Sequence, residues 1–426
     1  MERNDPRYQA YVEILKEELI PAMGCTEPIA LAYAAAKARE VLGVLPDSVQ
    51  LQVSGSIIKN VKSVIVPNTG HLKGMEAAVA AGIIAGSAEK ELEVISEVSE
   101  EKKSAIRDYL QTVPITIEHT EQGHVFDIVV TERCGQDYAR VRIADYHTNI
   151  CRIEKNGTVL YEVPLLDETV QEDARADRSL LNMQDIWDFA ETADLRDVAD
   201  LLERQIRYNN AIAEEGLLGD YGANIGRVLL TTYGNDVSNR AKAKAAAGSD
   251  ARMNGCELPV IINSGSGNHG ITCSVPLIEY AKELHSGKEK LYRALIISNL
   301  VAIHEKTGIG TLSAYCGAVS AGAGAGAGIV YLCGDGYQAA IHTVVNALAI
   351  VSGIVCDGAK ASCAAKIASS VDAALLGYNM YKCNQEFKGG DGIVMKDIET
   401  TIKGIGRLGK DGMRQTNEEI IRLMMS

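Results

Sequence analysis

Apolar and polar residues alternate with helical spacing at the start of the chain. Between residues 7 and 20 the apolar positions are Tyr8, Tyr11, Ile14, Leu15 and Leu19. This spacing predicts an amphipathic helix that ends at Pro21. A second helix is expected to begin at Thr26, a good N-cap residue, with Pro28 in its first turn and Gly43 at its end.

The pattern changes at about residue 48, where short segments with strand-like spacing begin. The predicted strands cover residues 49–53, 62–66, 115–119, 124–131, 138–144, 149–154 and 158–163, separated by turn residues. Small or charged helices are expected at 75–85 and 99–111. These elements together predict a mixed α/β unit over about 48–165.

The remainder of the chain has mainly helical spacing. After an acidic linker at 167–177, helical segments alternate with Gly-rich loops up to residue 426. We therefore predict an α+β, multidomain protein in which a mixed α/β domain is inserted near the N-terminus of a large all-helical domain. The expected division is 1–45 (N-terminal helices that pack on the helical domain), 46–178 (mixed domain) and 179–426 (helical domain).

Two stretches of the helical part lack Asp, Glu, Lys and Arg altogether. They lie between Lys306 and Asp335 and between Asp335 and Asp357, and each is long enough to span a bilayer. The first is rich in Ala and Gly, and both contain polar residues, so their transfer into lipid is poorly favoured. Helices buried inside a large domain are the better prediction, and no membrane partner is expected.

The composition indicates which partners and which cellular compartment to expect. The net charge of −14 disfavours nucleic acid, which requires a basic face. The first twenty residues mix charges and contain no apolar signal region. Ten cysteines without such a signal indicate a reducing compartment, where thiols bind metals, catalyse or lie buried. A cytoplasmic location is the resulting expectation.

Cys25 lies in the segment Gly24-Cys25-Thr26-Glu27-Pro28, directly before the predicted second helix. The helix dipole and free N–H groups at such a position favour a thiolate, so a lowered pKa is expected. The alternative is that Cys25 is a small buried residue.

Three further cysteines, Cys316, Cys356 and Cys363, are separated by 40 and 7 residues. Gly353 is expected to end a helix, which places Cys356 in a tight loop and Cys363 near the start of the next helix. Thiols around such a loop can point at one metal centre, although their spacing is not that of a zinc ribbon. Buried structural thiols are the alternative.

Three loops are rich in Gly, Ser and Asn. Their backbone N–H groups and short polar side chains suit a carboxylate, although each loop is also compatible with a simple turn. No phosphate-binding motif accompanies them. The candidate substrate-binding residues in these loops are Ser54, Ser56, Asn68, Thr69, His71, Asn263, Ser264, Asn268 and His269.

These motifs together resemble the L-cysteine desulfidase family, a relative of the iron–sulfur L-serine dehydratases that is described as serine dehydratase α-like or UPF0597-type. The resemblance is carried by residues 24–28, 68–70 and 263–270 and by the three spaced cysteines. It implies that Cys316, Cys356 and Cys363 hold a [4Fe–4S] cluster with one open iron site. It also implies a catalytic role for Cys25.

The resemblance implies β-elimination of L-cysteine to pyruvate, ammonia and sulfide, a carbon–sulfur lyase reaction. Serine dehydration is the alternative within the class, although the Ser-Ser-His-Thr type segment of the serine dehydratases is absent from this sequence. A non-catalytic metabolite-binding or redox-sensing relative is the alternative outside it. We expect a small amino-acid substrate. The sequence is compatible with a homo-oligomer and does not determine the oligomeric state. The cluster is expected to be lost easily in air.

Cys333 follows Cys316 by seventeen residues. If one continuous helix joins them, they lie about 25 Å apart. Cys333 is therefore excluded from the predicted cluster.

Overall fold

The computed structural model describes residues 1–120, 124–165, 175–310 and 312–425. Its helices are α1 (Pro6–Glu18), α2 (Thr26–Leu42), α3 (Gly55–Val61), α4 (Gly74–Ala85), α5 (Glu100–Thr112), α6 (Met183–Thr192), α7 (Ala199–Leu218), α8 (Ile225–Tyr233), α9 (Val237–Met253), α10 (Gly267–Glu283), α11 (Lys288–Ile309), α12 (Ala318–Cys333), α13 (Tyr337–Val351), α14 (Cys363–Lys382), α15 (Ile398–Arg407) and α16 (Arg414–Met425). Its strands are β1 (Pro21–Met23), β2 (Ser48–Ser54), β3 (Ile115–Thr120), β4 (Asp127–Cys134), β5 (Asp137–Ala144), β6 (Ile150–Lys155), β7 (Thr158–Glu162) and β8 (Pro259–Ile261). Short 3-10 turns cover Ala88–Glu93, Arg178–Leu180 and Leu195–Asp197, and a π-helical turn covers Leu408–Gly412.

Six strands form one mixed sheet in the order β3-β2-β4-β5-β6-β7. The β2 strand pairs in parallel with β3, and every other neighbouring pair is antiparallel. Val49, Leu51 and Val53 alternate with less buried residues along β2, as a strand with one covered face requires. Helix α2 packs against β4 and β5 and so covers the sheet. The predicted mixed α/β unit is confirmed.

Helix α12 lies at the centre of the helical part and packs against α10, α11, α13 and α14. Its alternating glycines allow this close approach. A Cβ at Gly324 would lie 2.5 Å from the Ser298 carbonyl oxygen, and one at Gly322 would meet the backbone of Ser370 at 2.8 Å. Both uncharged stretches therefore form helices inside the domain, and no described helix is long and apolar enough to span a bilayer.

The N-terminal segment contacts both parts of the molecule. The rings of Tyr8 and Tyr11 pack edge-on against Phe189 of α6. Strand β1 pairs antiparallel with β8, with Ala22 opposite Val260. Helix α2, in contrast, packs on the sheet and on α4. The α+β multidomain class is confirmed, while the boundaries 1–45, 46–178 and 179–426 stay a prediction.

Several local expectations were wrong. The N-cap of α2 is Cys25, and Thr26 is the first helical residue. Residues 62–66 form no strand and contribute only an isolated bridge between Ile65 and Lys73. Helix α10 begins at Gly267, so the second half of the predicted 263–270 loop is helical. Residues 121–123 and most of the acidic linker (166–174) lie outside the described residues.

Candidate active site

Backbone pairing brings two of the sequence motifs together. Strand β1 ends just before Cys25, and its partner β8 ends just before the 263–270 loop. The Thr26 hydroxyl donates to the Gly265 carbonyl oxygen at 2.9 Å, which ties the start of α2 to that loop. Segments more than 230 residues apart in sequence therefore form one wall of a common site.

The Cys25 thiol is buried and donates a hydrogen bond to Glu27 Oε2 at 3.0 Å. Burial and the neighbouring Glu27 carboxylate raise the pKa of Cys25 well above its usual value, although the Arg252 charge opposes them. The expected lowering by the helix dipole was therefore wrong. Desolvation of the thiolate outweighs the dipole because the group has almost no contact with water. With its pKa raised, Cys25 stays a thiol near neutral pH, and this thiol points at a carboxylate.

Cys316 and Cys356 are brought together by a backbone bridge between Tyr315 and Val355. Cys316 N donates to the Ile354 carbonyl oxygen at 3.1 Å, and Cys356 N donates to that of Ala314 at 2.6 Å. The two thiols hydrogen-bond to each other, which lowers the pKa of Cys356 and raises that of Cys316. One thiolate is thus favoured within the pair.

Cys363 is the first residue of α14, as the sequence predicted. Its thiol donates to the Gly358 carbonyl oxygen at 3.6 Å. Its charge also influences the pKa of Cys316, so the third thiol lies near the pair. Cys333, in contrast, lies at the far end of the continuous helix α12 and is exposed, in line with its exclusion.

Cys25 faces the same region as the three spaced cysteines. It forms a small apolar cluster with Val64 and Met253, and Ala359 and Cys363 pack against this cluster. The loop between Cys356 and Cys363 is thereby placed next to the start of α2. All four candidate cysteines border one region of the molecule.

Two buried lysines, Lys59 and Lys306, lie near Cys316 and Cys356. Lys59 is 1% exposed and donates to the Cys356 carbonyl oxygen at 3.3 Å and to Asn417 Oδ1 at 2.7 Å. Lys306 is also buried, and burial lowers its pKa to about 8 while the charges of Cys356 and Cys316 oppose this shift. The lysines supply positive charge where thiolates require compensation.

His269 links the 263–270 loop to the cysteines. Gly317, the residue after Cys316, has no side chain, and a Cβ there would lie 2.1 Å from His269 Cε1 and Nε2. Burial, together with the charges of Lys306 and Arg252, lowers the pKa of His269 to about 3. His269 is therefore a neutral imidazole beside Cys316.

The other residues of this loop serve partly to build it. Asn263 is fully buried, and its side-chain amide donates to Asn299 Oδ1 at 2.9 Å. Ser264 donates to Asn263 Oδ1 at 2.8 Å. Asn268 Oδ1 is buried and has no hydrogen-bond partner among the described residues. Of these three, Asn268 is the one with unused polar capacity.

Among the described residues, the remaining five candidates form no hydrogen bond to the candidate cysteines. Ser54 donates to the Val125 carbonyl oxygen at 2.7 Å, and Ser56 is buried in the first turn of α3. Asn68 donates to the Ile95 carbonyl oxygen at 2.8 Å, and Thr69 to that of Val66 at 2.7 Å. His71 is exposed. A substrate-binding role for these five residues stays a prediction.

Five residues near the thiols escaped the sequence analysis as site candidates: Glu27, Lys59, His147, Arg252 and Lys306. Arg252 is 2% exposed and lies against Gly267, where a Cβ would be 2.3 Å from its Nε. His147 comes from the mixed domain, and its Cε1 lies 3.1 Å from the position of a Gly265 Cβ. Only Glu27 had a local signal, since it lies within the motif around Cys25.

The three spaced cysteines fit the donor chemistry of an iron–sulfur cluster. Within the described chain, no group of three or more His, Cys, Asp or Glu residues is arranged to hold a single metal ion. A single ion requires all donors within one shell of about 2–2.5 Å, whereas each cysteine of a cluster binds a different iron. Three thiols beside buried lysines suit the second arrangement.

A comparison with known protein families shows to which family this chain belongs. The family described as "Serine dehydratase alpha chain" matches residues 89–422, which is well over half of the chain. The chain belongs to the serine dehydratase α-chain family. The match includes the 263–270 loop and the three spaced cysteines and excludes the segment around Cys25. Family membership supports a lyase activity.

Relatives extend the similarity over the whole chain, so that it also covers the segment around Cys25. A UPF0597 protein of Desulfitobacterium hafniense is 61% identical over 100% of this chain and 99% of its own length. UPF0597 proteins of Lachnoclostridium phytofermentans and Treponema denticola are 52% and 46% identical over 98% and 100% of the chain, and 100% of their own lengths. The chain is thus a UPF0597-type member of the serine dehydratase α-chain family.

Proposed function

We propose that this protein is an iron–sulfur-dependent lyase that converts L-cysteine to pyruvate, ammonia and sulfide. The observation that carries the proposal is the shared location of Cys25 and the Cys316–Cys356 pair, joined through Cys363. A thiol next to a carboxylate can supply the base for such an elimination, and a set of cluster-type ligands can hold the Lewis acid. Membership in the serine dehydratase α-chain family supports the reaction class.

Cys316, Cys356 and Cys363 would hold the cluster. When bound, its iron without a protein thiolate supplies Lewis acidity toward the β-substituent, which makes that group leave more easily. Lys59 and Lys306 offset the negative charge of the ligating thiolates in a buried environment. The Cys356 pKa is already low because of its hydrogen bond with Cys316 and the charge of Lys59.

Cys25 and Glu27 handle the proton from the substrate Cα. Glu27 accepts the hydrogen bond of the Cys25 thiol, so it is placed to take that proton and leave a thiolate. The thiolate then removes the α-proton, the C–H electron pair forms the Cα=Cβ bond, and the Cβ–S bond breaks with its pair on the sulfur. The departing hydrosulfide takes the proton held by Glu27, which restores the carboxylate. The aminoacrylate that leaves the site hydrolyses to pyruvate and ammonia, and sulfide is the third product.

The test is an assay of protein purified without oxygen. Pyruvate, ammonia and sulfide are measured after addition of L-cysteine, and pyruvate and ammonia after addition of L-serine. Equal amounts of pyruvate and sulfide from cysteine support the proposal. Pyruvate from serine with none from cysteine contradicts the choice of substrate, and no product from either amino acid contradicts the lyase.

Serine dehydration is the second candidate, because the matched family carries the description of a serine dehydratase chain. The same active-site residues can act on serine, where the Cβ–O bond breaks and water leaves instead of sulfide. The ratio of kcat/KM for cysteine to that for serine separates the two. Cys25→Ser is a useful variant in both assays, since full turnover by this variant would remove Cys25 from catalysis.

A further inference from the structure

The guanidinium of Arg252 is buried and forms no salt bridge within the part of the chain that the structure describes. Arg252 lies near the end of α9 and is 2% exposed. Its Nε has no hydrogen-bond partner among the described residues. An isolated buried charge is costly, and in folded proteins such a group is nearly always paired.

The surroundings of Arg252 favour an anion. The guanidinium lies against Gly267, the first residue of α10, where a Cβ would be 2.3 Å from Nε and 2.8 Å from Cζ. The first N–H groups of this 17-residue helix have no acceptor within the helix, and its dipole places positive charge at this end. A side-chain cation and a helix N-terminus thus lie side by side.

This location is part of the site already described. The charge of Arg252 influences the pKa values of Cys25, His147 and His269. The His147 Nε2 atom and the Asn268 Oδ1 atom are also buried without partners in the described part of the chain. Unused polar atoms from three separate elements therefore border the Cys25 region.

We propose that Arg252, with the N-terminus of α10, binds the α-carboxylate of the amino-acid substrate. The inference rests on the proposed function for the identity of the ligand as a small α-amino acid. A planar guanidinium pairs with a carboxylate through two parallel hydrogen bonds, which fixes both position and orientation. A carboxylate held there would place the substrate in the region that Cys25 also borders, because the charge of Arg252 acts on the Cys25 thiol.

The experiment measures binding of L-alanine and L-alaninamide by calorimetry, because neither carries a β-leaving group and the two differ only at the carboxylate. The wild-type protein, Arg252→Met and Arg252→Lys are compared. Arg240→Met is the control: it lies on the same helix, and its side chain pairs with Glu283 away from the site. Iron content and melting temperature are recorded for every variant.

We expect the wild type to bind L-alanine at least about 30-fold more tightly than L-alaninamide. Arg252→Met should lose this preference, Arg252→Lys should keep part of it, and Arg240→Met should keep all of it. Arg252→Met should retain its iron and melt no lower than the wild type, because the change removes an unpaired buried charge. A merely structural arginine would lower the melting temperature instead.

Three results would overturn the inference: L-alanine affinity within twofold of wild type in Arg252→Met, loss of iron in that variant, or no preference for L-alanine in the wild type. Loss of iron would assign Arg252 to charge compensation at the cysteines. If the preference exists and depends on Arg252 while neither cysteine nor serine yields pyruvate, the carboxylate site stands and the proposed lyase function fails. If cysteine or serine yields pyruvate but the wild type does not prefer L-alanine to L-alaninamide, the lyase function stands and the carboxylate site at Arg252 fails.

Discussion

The thiol of Cys25 donates a 3.0 Å hydrogen bond to the carboxylate of Glu27, two residues later in the first turn of α2. Both side chains are buried, and Thr26 between them is tied to the Gly265 carbonyl oxygen. This arrangement assigns the two residues different tasks. Burial keeps the thiol protonated, and the carboxylate offers a place for its proton when a substrate arrives.

Replacement of Glu27 by Gln should lower kcat by about 100-fold or more, because the amide cannot accept the Cys25 proton. The melting temperature should change little, since Gln retains an oxygen for the hydrogen bonds from Cys25 and Thr26. Glu40→Gln, on the exposed face of the same helix, is the matched control. Wild-type kcat in Glu27→Gln would contradict this role.

Separate Cys316→Ser, Cys356→Ser and Cys363→Ser variants should each lose most of the bound iron. Protein prepared without oxygen is expected to contain about four iron atoms per chain if the cluster is complete. Iron analysis and the visible absorption spectrum provide the measurement. Cys333→Ser and Cys383→Ser, at exposed positions, should match the wild type. Full iron content in any of the first three variants would remove that cysteine from the ligand set.

Gly317→Ala should disrupt the site without a change in any polar group. The new methyl group would lie 2.1 Å from the His269 ring, so the imidazole or the backbone next to Cys316 must move. Overpacking of this kind costs about 1–3 kcal/mol in the free energy of unfolding, and activity should fall with it. Gly336→Ala, where nothing lies within 4 Å of the added carbon, is the control. Equal activity and stability of Gly317→Ala and wild type would show that His269 can move freely.

We expect Asp250 to make the free energy of unfolding depend on pH. Burial raises its pKa to about 6, while its Oδ2 accepts from Ile225 N at 2.6 Å. The folded state therefore holds more protons than the unfolded state between about pH 4 and 6, and stability falls as the pH rises through this window. Above about pH 6, the loss of stability caused by the charged Asp250 no longer changes with pH.

Asp250→Asn should consequently be more stable than the wild type by on the order of 2 kcal/mol at pH 7, with the difference close to zero at pH 4. Urea unfolding at both pH values measures this. Asp372→Asn, at an exposed position, controls for the change of residue type. A difference that is the same at pH 4 and pH 7 would contradict the shifted pKa of Asp250.

Much of the local structure could be predicted because it depends on neighbouring residues. Gly43 ends α2 with a left-handed backbone, Cys363 begins α14, and the alternation in 49–53 forms β2. Errors occurred where a local signal was ambiguous. Thr26 has the side chain of an N-cap, yet Cys25 occupies that position and Thr26 bonds to Gly265 on a distant loop.

The features of the candidate site also fall into two groups, those that follow from local sequence and those that depend on the tertiary structure. By itself, the sequence determined the positions of the cysteines, the Gly-rich loops and the small-residue face of α12, since each is a short pattern. The tertiary structure decided that Cys25 is protonated, that Lys59 and Lys306 face the thiols, and that Arg252 and His147 reach the site. Burial and charge depend on elements hundreds of residues apart, and no local pattern encodes which of them will meet.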